Sequence, residues 1–222
     1  MCDVLDVLKR TKLFHNIPEE ILLQEILPNG RFQHYGTGQS LIQSQQLVDY
    51  FAVILSGRVN IVHFFPDGHS SLTAVLTTKD ILAADLICTR TRISPYNALA
   101  TAETHIIYFS VDLLIKQGVV TERWRQAMQS SLLTLISHDN MKKEYRLAVL
   151  SQKGLRARIV TYLIMQTNRC QAATITIPFS REELASYLCV DRSALSHELS
   201  LMQQEGLITF RKNVFTLHNI SR

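Results

Sequence analysis

The stretch from Glu183 to Phe210, ELASYLCVDRSALSHELSLMQQEGLITF, reads as two helices joined by a tight connection, with a strand beginning after them. The second helix has a marked start and a marked stop. Asp191 stands where a short carboxylate accepts from the orphan amides of a first turn. Gly206 stands where a helix gives way to a left-handed residue. Leu195, Leu199 and Met202 recur at i, i+4 and i+7, which draws one apolar stripe. The remaining face carries Arg192, Ser193, Ser196, His197 and Ser200. It spends its surface on short donors with one Arg and one His, where a solvated helix usually carries Glu and Lys.

The flanking residues give that face a purpose. Ser180 and Glu183, in S-R-E-E, form a capping box at the start of the first helix, Arg181–Leu188. Ala185 is small where two helices must cross closely, and Leu184, Leu188, Val190, Leu195 and Leu199 supply a shared core. The unit is a helix-turn-helix. A polar second helix then fits a major groove about 12 Å wide, where long acidic side chains would meet phosphate. Downstream, LITFRKNVFTL (Leu207–Leu217) is two short strands around Arg211-Lys212-Asn213, a wing that brings Arg211 and Lys212 to backbone phosphate. Upstream lie a helix over Leu155–Thr167 and a strand over Thr174–Ile177. The expected DNA contacts are Ser180, Arg192, Ser193, Ser196, His197, Ser200, Arg211 and Lys212. Charge agrees with this. Residues 1–150 hold 14 Lys/Arg and 14 Asp/Glu, residues 151–222 hold 9 and 5, so the whole excess of +4 lies in the last third.

The rest of the chain has a different texture. Helical signals occur at Val4–Leu13 and Pro18–Leu27. Short β-rich runs follow at Arg31–Tyr35, Tyr50–Leu55, Arg58–Phe65, Ser70–Leu76, Asn97–Thr101 and His105–Ser110, with a hairpin signal at Pro66-Asp67-Gly68-His69. That spacing predicts a β-roll or barrel over residues 1–120. From Thr121 to Leu150 no Pro or Gly interrupts, which predicts one long helix. Leu133, Ile136, Asn140, Lys143, Leu147 and Leu150 follow a heptad spacing along it, and an Asn within such a seam favours two strands. Packing on its own domain is the alternative use of that helix; dimerisation is the expectation. Ser151–Gly154 is the expected hinge before the third part, residues 151–222.

Three segments carry a family resemblance: GQSLIQSQQLVDYFAVILSGRVNIV (Gly38–Val62, with Gly57), the long central helix, and FSREELASYLCVDRSALSHELSLMQQEGLITF (Phe179–Phe210). Over nearly its whole length the chain resembles the Crp/Fnr transcription regulators. The resemblance implies an α+β architecture: an N-terminal cupin-like β-roll of cyclic-nucleotide-binding type, a central dimerisation helix and a C-terminal winged helix-turn-helix. It also implies a homodimer reading a palindromic operator in double-stranded DNA, answering a small-molecule effector and meeting RNA polymerase.

The departures narrow this. Nucleotide-binding members carry G-E-L followed by R-S-A, in which Glu holds the ribose and Arg-Ser the cyclic phosphate. This chain has Ala83 and Ala84 for the first part and Ser94-Pro95-Tyr96 for the second. Both polar anchors are gone, and with them the charge-assisted bonds to phosphate. Arg90 and Arg92 are near enough in sequence to substitute, though a solvated loop is their plainer reading. The effector is therefore expected to differ from cyclic AMP, with Leu82, Ala83, Ala84, Leu86, Tyr96 and Asn97 around it; the apolar cassette leaves room for an apolar or aromatic molecule without establishing one. In the reading helix, Ser193 stands where members commonly show an acid and His197 where they show an Arg. Arg192 matches one branch. Cys189 replaces the usual Gly of the connection.

Other classes fit less well. With 46% apolar and 19% charged residues the chain builds an ordinary core. No apolar run approaches the about 18 residues of a membrane helix, and MCDVLDVLKR lacks a leader pattern, which argues for a cytoplasmic protein. Iron–sulfur members use clustered N-terminal cysteines, whereas only Cys2 lies near that end; Cys88, Cys170 and Cys189 are far apart. His15, His34, His63, His69, His105 and His138 show no haem-ligand or cupin H-x-H spacing, so no metal or cofactor is expected, and no enzyme. A redox regulator using Cys88 or Cys189, a cupin enzyme and a scaffold that binds no DNA remain as alternatives.

Overall fold

The computed structural model describes residues 4–218. They form two compact units, one ending at Asp139 and one beginning at Asn140. The first opens with α1 (Val4–Arg10) and α2 (Glu19–Ile21), which runs on through a wide turn (Leu22–Ile26) and a tight one (Leu27–Asn29). The expected helix to Leu13 stops at Arg10. There the Thr11 hydroxyl donates to the Val7 carbonyl at 2.9 Å and the Thr11 amide folds back on Leu8.

Eight strands follow: β1 (Gly30–Tyr35), β2 (Ser40–Ile42), β3 (Tyr50–Ser56), β4 (Arg58–Phe64), β5 (Ser70–Thr77), β6 (Ile81–Leu82), β7 (Asn97–Ala100) and β8 (Thr104–Ser110). They pair antiparallel into two four-stranded sheets, ordered β1-β8-β3-β6 and β2-β7-β4-β5. This is the expected roll. The six runs read from sequence are all strands, and two short ones, β2 and β6, join them. Gly57 is the corner where the chain leaves one sheet for the other. Its φ is +99°, and a Cβ there would lie 2.4 Å from the Glu103 carbonyl oxygen, so only glycine fits.

Alternate residues of β3 feed two cores. Ala52 and Ile54 face the second sheet, packing with Leu41, Val59, Ile61, Ala98 and Ile106. Phe51, Val53 and Leu55 face the helices, with Phe14, Phe109, Leu113 and Leu132. Both faces are thus covered, which is why FAVIL is an unbroken apolar run instead of an alternating one. After α3 (Asp112–Ile115), α4 (Glu122–Leu150) is the expected long helix. Its Met128, Leu132 and Leu135 pack into the helical core, with Ile136 partly buried against it. Leu133 and Leu147 are 69% and 62% exposed, and Asn140 between them is exposed also.

The second unit takes the last turns of α4, then α5 (Leu155–Cys170), β9 (Thr174–Thr176), α6 (Arg181–Tyr187), α7 (Arg192–Gln204), β10 (Ile208–Arg211) and β11 (Val214–Leu217). Its sheet is ordered β10-β11-β9. Residues 151–154 form a turn with Gly154 at φ +87°, but the two units part inside α4 instead.

Candidate nucleic-acid interface and the altered sensor cassette

The helix-turn-helix is built as its residues require. Ser180 accepts the Glu183 amide at 3.2 Å while Glu183 Oε2 accepts the Ser180 amide at 2.8 Å, so the capping box is complete. Ala185 is buried, and its carbonyl accepts the Val190 amide at 3.0 Å across the close turn. Leu184, Leu188, Leu195, Leu199 and Met202 are all buried, with Val190 half-buried beside them. Cys189 takes φ +56°, the left-handed conformation a glycine would adopt freely. Gly206 ends α7 at φ +73°, with the Leu207 amide returning to the Met202 carbonyl. One expectation fails. Asp191 occupies the cap position of α7 but its carboxylate accepts no cap hydrogen bond; the exposed side chain stays in water.

Arg192, Ser193, Ser196, His197 and Ser200 are exposed together, as the sequence predicted. The Ser200 hydroxyl donates to the Ser196 carbonyl at 2.9 Å, which ties it to its own helix. Glu198, the one acid within α7, is drawn away by Arg156 of α5, whose Nε donates to it at 2.5 Å. The same guanidinium grips Glu205 at 2.7 and 2.9 Å. These bonds to two carboxylates, Glu205 first, push the Arg156 pKa up, so the group stays charged. The wing presents exposed Arg211 and Lys212 at the β10–β11 turn, where Lys212 has φ +56°. Asn213 secures that turn by donating to the Ile177 carbonyl at 3.0 Å and accepting the Ile177 amide at 2.9 Å.

The structure adds a cation that the sequence did not single out. Arg181 lies over the Phe210 ring at 4.8 Å and the Phe215 ring at 5.6 Å, and donates to the Lys212 carbonyl at 3.3 Å. Burial and then the charge of Arg192 lower its pKa. Its only sequence signal was a cation beside the capping Ser180.

The cassette of the roll is closed in the opposite way. Ala83 is buried with φ +66°, a glycine's conformation, and its carbonyl receives the amides of Leu86 and Ile87. Leu82, Ala83, Leu86 and Tyr96 pack in the inter-sheet core, whereas Ala84 belongs to the helical core on the other side of the sheet. Ser94, fully buried, donates to the Tyr96 carbonyl at 2.8 Å and accepts the Tyr96 amide at 3.2 Å. The Tyr96 hydroxyl donates to Asp85 at 2.9 Å. Asn97 accepts the Ser44 amide at 3.1 Å. Three further tyrosines pack on this core: Tyr35 and Tyr108 share a hydrogen bond at 2.7 Å, and Tyr50 meets the Tyr108 ring edge-on at 4.9 Å. Burial raises the pKa of Tyr50, Tyr96 and Tyr108, so these phenols stay neutral. Tyr35, Tyr50 and Tyr108 did not stand out in the sequence as effector contacts.

A family model described as a Crp-like helix-turn-helix domain matches residues 157–222, and one described as a cyclic nucleotide-binding domain matches residues 32–117. The chain belongs to the Crp/Fnr family. It is a transcription regulator with an effector-binding domain and a helix-turn-helix. Transcriptional activator protein FnrL of Cereibacter sphaeroides is 22% identical over 190 residues, 80% of this chain and 72% of FnrL. Among solved structures, FixK2 from Bradyrhizobium japonicum is 17% identical with a TM-score of 0.63, covering 86% of this chain and 93% of FixK2. CLP of Xanthomonas campestris, a c-di-GMP-responsive global regulator, is 14% identical with a TM-score of 0.69, covering 89% and 98%.

Against that family background the remaining candidates fall into place. Arg90 is exposed and Arg92 half-exposed on the loop after the cassette. Burial and then the Asp85 charge push the Cys88 thiol up, which disfavours the reactive thiolate. Cys2 lies outside the described residues. His69 pairs with Asp67 and stacks on Phe65 at the β4–β5 turn. Among the described residues no three His, Cys, Asp or Glu side chains converge as metal ligands, and no helix is long and apolar enough to cross a membrane.

Proposed function

We propose that this Crp/Fnr regulator acts as a homodimer on a palindromic operator and answers a small molecule other than a cyclic nucleotide. The observation that carries the DNA-reading part is the α7 face. Arg192, Ser193, Ser196 and His197 are exposed together, and Arg156 holds back the helix's acid. Arg192, Ser196 and His197 read base edges. Arg181, Arg211 and Lys212 hold phosphate, with the Ser180 cap at the same end of α6 and Ser193 and Ser200 flanking the readers. The dimer forms along Leu133, Asn140 and Leu147, an exposed line at seven-residue spacing, with Ile136 and Leu150 at its border. RNA polymerase is the further protein partner, in the cytoplasm.

The effector reading rests on the closed cassette. Ala84 and Ser94-Pro95 offer no charge for a ribose or cyclic phosphate, and Ser94 spends its hydroxyl on Tyr96. What surrounds the cassette is apolar and phenolic, which suits an apolar or aromatic molecule with one hydrogen-bonding group.

Binding-site selection tests the reading at its most informative residue. Imidazole makes one hydrogen bond to a base edge, where the guanidinium usual in the family forks onto guanine O6 and N7 with about 1–3 kcal/mol of discrimination. His197→Arg is expected to raise guanine preference at one base pair of each half-site and leave the others alone. Identical preferences at every position in both forms would remove His197 from the readers.

A further inference from the structure

The connection between α6 and α7 is held from behind by two arginines that the DNA-binding face does not use. A seven-residue helix such as α6 leaves carbonyls at its C-terminus without intrahelical donors. The Tyr187 carbonyl receives Nε and Nη2 of Arg146 at 3.3 and 3.2 Å. The Leu188 carbonyl receives Nη1 of Arg158 at 3.2 Å. Both guanidinium charges also sit at the negative end of the α6 dipole, where cations are favoured. Arg146 lies over the Tyr187 ring at 4.7 Å, and that ring packs on Phe179 at 4.8 Å and Tyr162 at 5.5 Å. Arg158 reaches the other way too, its Nε donating to the Gln152 carbonyl at 3.3 Å in the turn after α4.

The next residue is Cys189, which holds a left-handed conformation without being glycine. A turn carrying that strain keeps its direction only if its surroundings determine it. Three residues later Arg192 begins α7, so the direction of this turn sets where the reading side chains point. Arg146 belongs to α4, the helix that also packs on the roll, yet its stretch from Asn140 onward is part of the DNA-binding unit.

We propose that Arg146 and Arg158 are positioning residues for operator reading, which lock the helix-turn-helix connection to the end of α4 and the turn after it. Ser151–Gly154 then acts as a braced corner instead of a free hinge. The inference rests on the DNA-reading role of α7 proposed above.

Base contacts depend on the aim of α7, whereas phosphate contacts tolerate small errors. The test is fluorescence anisotropy with the full chain on a selected operator and on a random duplex of equal length. Arg146→Ala is expected to weaken operator binding roughly tenfold, the effect of losing a hydrogen bond to a charged group, with random-duplex binding unchanged. Arg146→Lys keeps the charge and one donor but loses the two-pronged grip, so it recovers part of the loss. Arg158→Ala repeats the pattern through Leu188. Equal losses on both duplexes, or operator binding like wild type in Arg146→Ala, would overturn the brace. If Arg146→Ala does not fold, Arg146→Lys decides alone: reduced operator binding with random binding intact supports it, and wild-type binding overturns it. A wild-type chain that selects no operator overturns the reading role instead.

Discussion

The recognition helix and the roll cassette occupy equivalent standing in a Crp/Fnr chain, one meeting DNA and the other an effector, yet this protein treats them oppositely. On α7 the polar groups stand in water: Arg192, Ser193, Ser196 and His197 are exposed. In the cassette, Ala83 and Ala84 are apolar and only 3% and 5% exposed. The difference follows from where each site sits before its ligand arrives. An exposed cation is solvated while it waits, so it costs little to keep. A carboxylate or guanidinium inside a roll must be matched by its ligand or desolvated without one. Where cyclic phosphate is not the ligand, buried charges have no partner, and alanine is the stable replacement. The surface face can change base by base while the interior must change as a set.

The largest expected effect tests whether the α7 face works in pairs. Leu133→Glu with Leu147→Glu places charges on two exposed seam positions without disturbing either core. Light scattering is expected to report monomers, and affinity for a palindromic site is expected to fall at least about 100-fold as the linkage of two half-sites is lost. An intact dimer would move the interface elsewhere.

Next in size is the reverse experiment on the cassette. Restoring an acid by Ala84→Glu buries an unpaired carboxylate in the helical core, with an expected loss of about 3 kcal/mol in denaturant unfolding. Millimolar cyclic AMP or cyclic GMP is expected to give no saturable heat with either form. Rescue of the variant by nucleotide would show that the pocket is still there and defeat the account of its closure.

On the DNA side, Arg192→Ala is expected to lose about 2 kcal/mol at one base pair and relax the sequence chosen there. Lys212→Ala should instead weaken all sequences alike and reduce the salt slope by about one. If the two variants behaved alike, the division between base readers and wing would be wrong.

The smallest effect unites the two regions. Cys189 and Ala83 both hold left-handed conformations at places where the family has glycine. Cys189→Gly is expected to raise stability by about 1 kcal/mol. Ala83→Gly should gain less, because it also removes a buried methyl from the core. A loss of stability at Cys189 would mean that the thiol makes contacts worth more than the strain.

Much of the molecule was legible from the sequence because its signals are local. The long helix could be read from thirty residues without Pro or Gly, the α6 start from Ser180 and Glu183, and the wing from two β-rich runs around Arg211-Lys212. The strands that escaped, Ser40–Ile42 and Ile81–Leu82, are three and two residues long, too short to show a period. Asp191 was legible as a cap position, but which groups its carboxylate would bond was not.

The sequence by itself determined the order of elements, the apolar stripe of α7 and its polar face, since each depends on residues within a turn or two of one another. Only the tertiary structure decided which polar groups are free to act. Arg156 meets Glu198 and Glu205 from 42 and 49 residues away, Arg181 finds Lys212 at a separation of 31, and Arg146 reaches Tyr187 across 41. The Tyr96 hydroxyl meets Asp85 from 11 residues away. A guanidinium or phenol makes its bonds through space, and helix and strand periodicity carry no record of the partner that folding brings to it.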